Sequence, residues 1–323
     1  MLITGFLPIE KPPIFFRIEK DYGLINYQAD TLSHPQTLHF FFSQLNQLRQ
    51  GKIKQVSVVH IGDSHIQADW MTGRLRNHFQ NEFGNAGRGL IFPARVAKSN
   101  ESASFISSSK GNWESKRVVF PDQPLPIGIS GITIQTIDTI ANIKIELTGR
   151  NTENLFQKKA SFFFKKDSSS YFVKVSDSAN RPVAFLGSYT QEGYPNLSTI
   201  YFPSPTRFFN LEIQKTLPEQ NQFTLYGINL ENNESGILYH TIGVNGAKFK
   251  HFLAANPFFE QLPLLKPDLI IVSLGTNESQ EFPYHDLERE GRIEGLLAKL
   301  SNSCKNVRYL IFFLFPLFLR IYK

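Results

Sequence analysis

Apolar positions follow two different rules along this chain. Toward both ends they form short solid runs separated by stretches of helical spacing. In the middle they alternate with polar positions. The stretch TLHFFFSQLNQLRQG carries apolar residues near helical spacing and predicts a helix that stops at Gly51. Val56 to Ile61 is short, β-branched and nearly all apolar, which predicts a strand buried on both faces. It stops at Gly62-Asp63-Ser64-His65, and Trp70 to Phe83 then reads as a helix ending at Gly84. Between residues 100 and 235 the pattern changes to short alternating runs: GITIQTI, NIKIELTG, ASFFFKK, YFVKVSD, STIYFP and FFNLEIQ. Gly, Pro, Asn, Asp and Ser separate them, which predicts an all-β sandwich or jelly roll. The first pattern then returns. GILYHTIG is a strand, Ala247 to Leu262 a helix, PDLIIVSL a buried strand, Asp286 to Asn302 an amphipathic helix and VRYLIFFLF a further strand.

The organisation expected is therefore α/β with a β-rich insert. Residues 1–50 hold an N-terminal extension and the first helix, 51–99 plus 236–323 one α/β domain, and 100–235 the inserted sandwich. The chain has 323 residues, enough for two domains or one large one, and its 41% apolar content supports a packed core. The net charge of +6 is spread out, without a long basic run, and gives no argument for a nucleic-acid partner. A single cysteine, Cys304, excludes an internal disulfide framework and a cysteine zinc site. No uninterrupted apolar segment is long enough for a membrane helix, and MLITGFLPIEKPP lacks the basic n-region of a signal peptide. Phenylalanine is abundant, at 30 residues, which fits either a large β core or an aromatic face for carbohydrate.

The polar turns that follow the buried strands carry the chemistry. Ser64 stands at a strand-to-helix junction, where free helix N–H groups can stabilise an oxyanion, and Gly62 permits a sharp turn. Gly246 lies in GVNGA and Asn277 in GTNE, each after a strand. A glycine N–H, an asparagine amide and the Ser64 N–H together make a three-donor set for a developing oxyanion. In an open parallel sheet, the carboxyl edge of the strands is where ligands bind.

HIGDSH at 60–65, GVNG at 243–246 and GTNE at 275–278 resemble, in that order, the first three blocks of the SGNH (GDSL-like) hydrolase superfamily. The resemblance covers about 60–99 and 236–315, and is similar in its wider pattern to two-domain bacterial members acting on O-acetylated peptidoglycan or other polysaccharides. It implies Ser64 as nucleophile and Gly246 and Asn277 as oxyanion donors, supported by Gly62, Asp63, His65 and Gly275. It implies a flavodoxin-like three-layer α/β/α fold, C-terminally incomplete, with an inserted carbohydrate-binding-module-like β domain. It implies a polysaccharide or peptidoglycan substrate, no metal or organic cofactor, and a place outside the cytoplasm. Glu278 follows Asn277 where many members have Asp.

The family's general base is a histidine three residues after an aspartate, near the C-terminus. Asp-x-x-His occurs nowhere in this sequence. Of the eight histidines only His285 follows Asn277, and it comes early for that role. His65 adjoins Ser64, where neighbouring side chains rarely meet productively. The expectation is a truncated or frame-shifted chain with a nucleophile and an oxyanion hole but no base, and a much reduced rate. Two readings stay open: a weakened O-acyl esterase acting on carbohydrate, and a catalytically inactive carbohydrate-binding protein. A lipase for long acyl chains is a third.

Other polar residues have ordinary readings beside functional ones. Asp69, Glu278 and Glu281 could act as acid and base, but loop and cap roles are expected. His60 and His65 flank a strand end without a third zinc ligand. Arg74, Arg76 and Arg88 could meet an anionic glycan, with solvated surface as the default. GNAGRG at 84–89 follows a helix instead of opening one, so it is no phosphate loop. Trp113, Tyr171, Tyr189, Tyr194 and Tyr201 could stack on sugars or pack in a core.

Overall fold

The computed structural model describes residues 34–120, 125–149, 155–187, 196–281, 286–305 and 307–313. Residues from Leu38 onward form one compact unit; of the separate unit Met1–Thr37, only 34–37 are described. The compact unit opens with α1 (His39–Arg49), β1 (Gln55–Gly62), the single-turn α2 (Ser64–Gln67), α3 (Trp70–Phe83) and β2 (Gly89–Ile91). Ten strands follow: β3 (Phe105–Lys110), β4 (Glu114–Arg117), β5 (Ile132–Thr136), β6 (Ile140–Leu147), β7 (Gln157–Phe164), β8 (Phe172–Ser176), β9 (Pro182–Leu186), β10 (Leu197–Thr206), β11 (Phe208–Gln214) and β12 (Phe223–Glu231). The α/β pattern resumes with β13 (Gly236–Gly243), α4 (Phe249–Leu253), α5 (Asn256–Gln261), β14 (Leu269–Leu274), α6 (Asp286–Ser303) and β15 (Arg308–Phe313).

β13, β1, β14 and β15 lie side by side in that order, all parallel. Strand alternation decides which helices cover which face. Val56 and Val58 of β1, Ile237 and Tyr239 of β13, and Leu269 and Ile271 of β14 pack with Phe41, Leu45 and Leu48 of α1. Phe79 and Phe83 of α3 complete that layer. The intervening positions, Val59, Ile61, Ile242, Ile270, Val272 and Leu274, point the other way. They meet Phe249 and Phe252 of α4, Phe258 of α5, and Leu296 and Leu300 of α6. Helices therefore cover both faces, and this explains why β1 and β14 read as solid apolar runs rather than alternating ones.

The other two sheets are antiparallel. One runs β10-β7-β12-β5-β4, with β2 also pairing β12, and the second runs β3-β6-β11-β8-β9. They pack face to face: Phe162 of β7 meets Phe209 of β11 edge-on at 6.1 Å between ring centroids, and Phe202 of β10 lies 5.8 Å from the same ring. Much of the phenylalanine is accounted for here. Phe162, Phe163, Phe164, Phe209 and Phe223 are fully buried.

Three differences from the sequence reading have physical causes. The stretch Ala247 to Leu262 is two short helices, because Pro257 stands in the first turn of α5 and cannot donate to a continuing helix. A single-turn helix, α2, stands between β1 and α3 where the sequence reading had only a turn, while α3 itself spans Trp70 to Phe83 as expected. β2, at 89–91, pairs with β12 and so adds a residue stretch from before position 100 to the sandwich sheet. No helix among the described residues is long and apolar enough to cross a membrane.

Candidate active site

The site grows out of the sheet order. β1 is central, with β13 on one side and β14 on the other, and Gly62 is in register with Gly243 and with Ser273. Ser64, Gly246 and Asn277 each lie a few residues past these aligned positions, so all three leave the sheet at the same edge. The chain after β1 leads to α3 on one face, and the chain after β13 leads to α4 on the other. The crevice between such diverging connections is the usual ligand site of an open parallel sheet.

Two glycines let α2 sit directly on the strand ends. A Cβ on Gly62 would lie 2.3 Å from Ile66 Cγ1 and 2.7 Å from the Ser273 carbonyl oxygen. A Cβ on Gly243 would lie 2.0 Å from the Gln67 backbone nitrogen. Any larger side chain at either place would push α2, and Ser64 with it, away from the sheet. Gly246 serves differently. The Ala247 N–H donates to the Val244 carbonyl at 2.9 Å, closing a turn in which Gly246 has φ +82°. Gly275, at the end of β14, also has positive φ.

Asp63 holds the three loops together. Its carboxylate is fully buried and caps α2, accepting the His65 N–H at 3.0 Å. The same oxygen meets His65 Nδ1 at 2.9 Å. Its other oxygen accepts from the Asn277 amide at 3.3 Å, while that amide also donates to the Ala247 carbonyl at 3.0 Å. The Val244 N–H donates to the Gly62 carbonyl at 3.1 Å. Gln67 adds a bridge that its sequence neighbourhood did not single out. Its side-chain oxygen accepts from Asn245 N–H at 2.6 Å, and its nitrogen donates to Ser99 and Asn100, both at 2.8 Å.

Ser64 is half-buried and is the first residue of α2, so its N–H is one that the helix leaves free. Among the described residues, no side chain hydrogen-bonds the Ser64 hydroxyl. His65 is exposed and directs Nδ1 to Asp63. His60 is buried between Tyr239 Oη, 2.8 Å from Nδ1, and Ser273 Oγ, 2.7 Å from Nε2. Burial pushes its pKa down to about 4, so it is a neutral core histidine. His60 and His65 thus take different partners. His285 lies outside the described residues.

The acidic candidates separate. Glu278 is buried and accepts the first N–H of α4, from Phe249; burial raises its pKa. Glu281 is a surface hub for Lys248, Lys250 and Arg292. Both have the loop and cap roles expected of them. Asp69 does not: it occupies the cap position of α3, but its carboxylate turns inward. It pairs with Arg76 Nη2 at 2.7 Å and Arg88 Nη2 at 2.9 Å, and accepts from Thr72 at 2.6 Å and Ser102 at 2.7 Å. Burial alone would raise its pKa, but the two guanidiniums outweigh it and hold the carboxylate well below its usual range. Arg76 and Arg88 are therefore not solvated surface, contrary to expectation; their side chains are 6% and 9% exposed. Arg74 is exposed, as expected.

Of the aromatic candidates, Tyr171 is buried, with its hydroxyl donating to the Ile137 carbonyl at 2.9 Å. Trp113 is partly buried against the core, and Tyr201 is exposed. Tyr189 and Tyr194 lie outside the described residues.

A structure described as "Peptidoglycan O-acetylesterase in action, 5 min" superposes with a TM-score of 0.65 at 21% identity, over 84% of this chain and 71% of that one. The fold is esterase-like. A CBM32 domain produced by Clostridium perfringens, in complex with GlcNAc-α-1,4-galactose, matches with a TM-score of 0.29 at 16% identity, over 40% of this chain and 90% of that one. A family 32 CBM from C. perfringens NanJ, in complex with galactose, matches with a TM-score of 0.26 at 8% identity, over 40% of this chain and 94% of that one. No protein-family model matches the chain. No curated protein matches it either.

Proposed function

We propose that this chain is a serine esterase of the SGNH type that removes O-acyl groups, in the first place O-acetyl, from a carbohydrate or peptidoglycan. The observation that carries this reading is the register of β13, β1 and β14, which brings Ser64, Gly246 and Asn277 to one sheet edge. The esterase-like fold supports it, and a solved structure that shares the fold is itself named as a peptidoglycan O-acetylesterase. In this reading the flavodoxin-like layer is the hydrolase domain, over 51–99 and 236–323. The sandwich over 100–235 is an inserted domain that meets the glycan, and the enzyme works outside the cytoplasm.

Ser64 Oγ attacks the acyl carbonyl carbon and its proton passes to a base. The carbonyl oxygen takes the negative charge and is met by the Ser64 N–H, the Gly246 N–H and the Asn277 amide. The sugar alkoxide leaves with a proton, and water then cleaves the acyl-serine to free acid and serine. Asn277 Nδ2 has two hydrogens and two protein partners, so it reaches the oxyanion by giving up the longer contact, 3.3 Å to Asp63. Asp63 and Gln67 position these groups and touch no reacting atom.

A second reading, an inactive carbohydrate-binding protein, is favoured by one observation: among the described residues, no imidazole contacts the Ser64 hydroxyl, and the sequence lacks Asp-x-x-His. A fluorophosphonate ester separates the two. The esterase reading predicts covalent labelling located at Ser64 by peptide mass spectrometry, and none in Ser64→Ala. Absence of labelling in the wild-type chain, with the fold intact, favours the binding protein.

A further inference from the structure

Beside the nucleophile turn, α3 has two faces of opposite character. Thr72, Leu75, Arg76, Phe79 and Phe83 turn inward. Trp70, Gly73, Arg74 and Asn77 fall one above another at helical spacing on the outer side, and line a cleft of about 710 Å³ between α3 and the sandwich. Trp70 is 78% exposed, a large apolar ring left in water. Among the described residues, Arg74 has no ion-pair partner and the Asn77 amide no hydrogen-bond partner. Leu147, Thr148 and Leu155 of the sandwich form the opposite wall.

The charge of this cleft is one-sided. Among the described residues, its titratable lining is Arg74, Arg76 and Arg88 against the carboxylate of Asp69, a net of two positive charges. Arg76 and Arg88 are buried and act through their field, while Arg74 is free to touch a ligand. The cleft also adjoins the proposed chemistry. Ala68 lines it, and the Ala68 N–H donates to the Ser64 carbonyl at 3.2 Å, one helical turn from the nucleophile. Its volume lies within the roughly 300–1,000 Å³ of pockets that enclose a drug-sized ligand.

We propose that this cleft binds an acidic saccharide, with Trp70 stacked on the apolar face of one sugar ring and Arg74 paired to a carboxylate one helical turn along. Asn77 takes hydroxyl contacts. An exposed ring, a free cation and an amide at successive turns match a carboxylated pyranose: the ring offers its C–H face, the acid its charge, and the hydroxyls their lone pairs. The assignment deepens the esterase reading by naming its substrate class and rests on it for the choice of saccharide, yet binding needs no turnover.

The test is titration calorimetry of the full chain with an oligogalacturonate pentamer, beside the neutral N-acetylglucosamine pentamer and a single-stranded oligonucleotide. Saturable binding of the acidic pentamer is expected, weakened roughly tenfold by Trp70→Ala and largely restored in Trp70→Phe. Arg74→Ala is expected to weaken the acidic pentamer several-fold and leave the neutral one unchanged. The acidic preference should fade toward 1 M salt, where the Debye length is about 3 Å. Trp70 and Arg74 are exposed, so these variants keep the fold. Ser64→Ala should bind as wild type, which separates failure of this cleft from failure of the esterase reading. Equal affinity for the neutral pentamer, a Trp70→Ala chain that binds normally, comparable binding of the oligonucleotide, or no saturable binding of the acidic pentamer would each overturn the proposal.

Discussion

Ser64 and Asp69 lie within one short stretch of chain, and their surroundings are built on opposite terms. Around Ser64 the backbone does the positioning: strand register aligns three loops, Gly62 and Gly243 admit α2, and one buried carboxylate, Asp63, ties the loops. Among the described residues, the Ser64 hydroxyl has no hydrogen-bond partner. At Asp69 the side chains do the work, with two buried guanidiniums and three hydroxyls, of Thr72, Ser102 and Thr241, converging on one carboxylate. A buried ion cluster is costly to leave half-made, whereas a hydroxyl without a hydrogen-bond partner costs little to lose. Sequence change should therefore cost folding at Asp69 and leave the fold nearly unaffected at Ser64.

The largest effect is expected at the cluster. Asp69→Ala leaves Arg76 and Arg88 buried without their counter-ion and should cost about 3–5 kcal/mol in denaturant unfolding, or prevent folding. Its pH dependence can be divided. Asp69 has a folded pKa below the unfolded value of about 3.9, so its contribution is present above that pH and is lost as pH falls through the folded value. His60 and His240 are buried and neutral, lowered by burial to about 4 and about 3. The unfolded chain binds those protons near pH 6.5, so stability should already decline from about 6.5 downward. In Asp69→Asn the lower limb alone should flatten; a change confined to the upper limb would contradict the assignment.

Gly243→Ala comes next. Its methyl would collide with the Gln67 backbone, and overpacking of this kind costs about 1–3 kcal/mol. A variant as stable as wild type would show that α2 does not rest on the strand end. Asp63→Ala removes the cap of α2 and should cost roughly 0.5–2 kcal/mol in thermal unfolding. The smallest shift is expected at Ser64→Ala, within about 0.5 kcal/mol of wild type. A larger loss there would erase the contrast between the two regions.

Much of this was legible in the sequence because it depends on local pattern. Trp70 to Phe83 reads as a helix with its glycine stop and is one. The solid apolar runs mark β1 and β14 because both faces of that sheet are covered. What escaped depends on partners far along the chain. Arg76 and Arg88 look like surface residues until Asp69 is seen between them. β3 and β4 carry serines, lysine and arginine because they are edge strands with little to bury, so their alternation is weak. β12 is hidden for a different reason: its alternation breaks phase at Tyr226-Gly227, where the pairing with β7 shifts register, and it is buried nearly end to end. The three motifs could be read in order along the sequence, but the register that brings them to one sheet edge could not, since pairing between β1, β13 and β14 spans much of the chain.

The most direct test of the central claim is hydrolysis of a short activated acetate ester by the full chain, read against Ser64→Ala of matched stability. Turnover that is present in the wild type, however slow, and abolished in Ser64→Ala is the result predicted. Equal rates in the two proteins would show that the aligned strand ends do not make Ser64 a nucleophile.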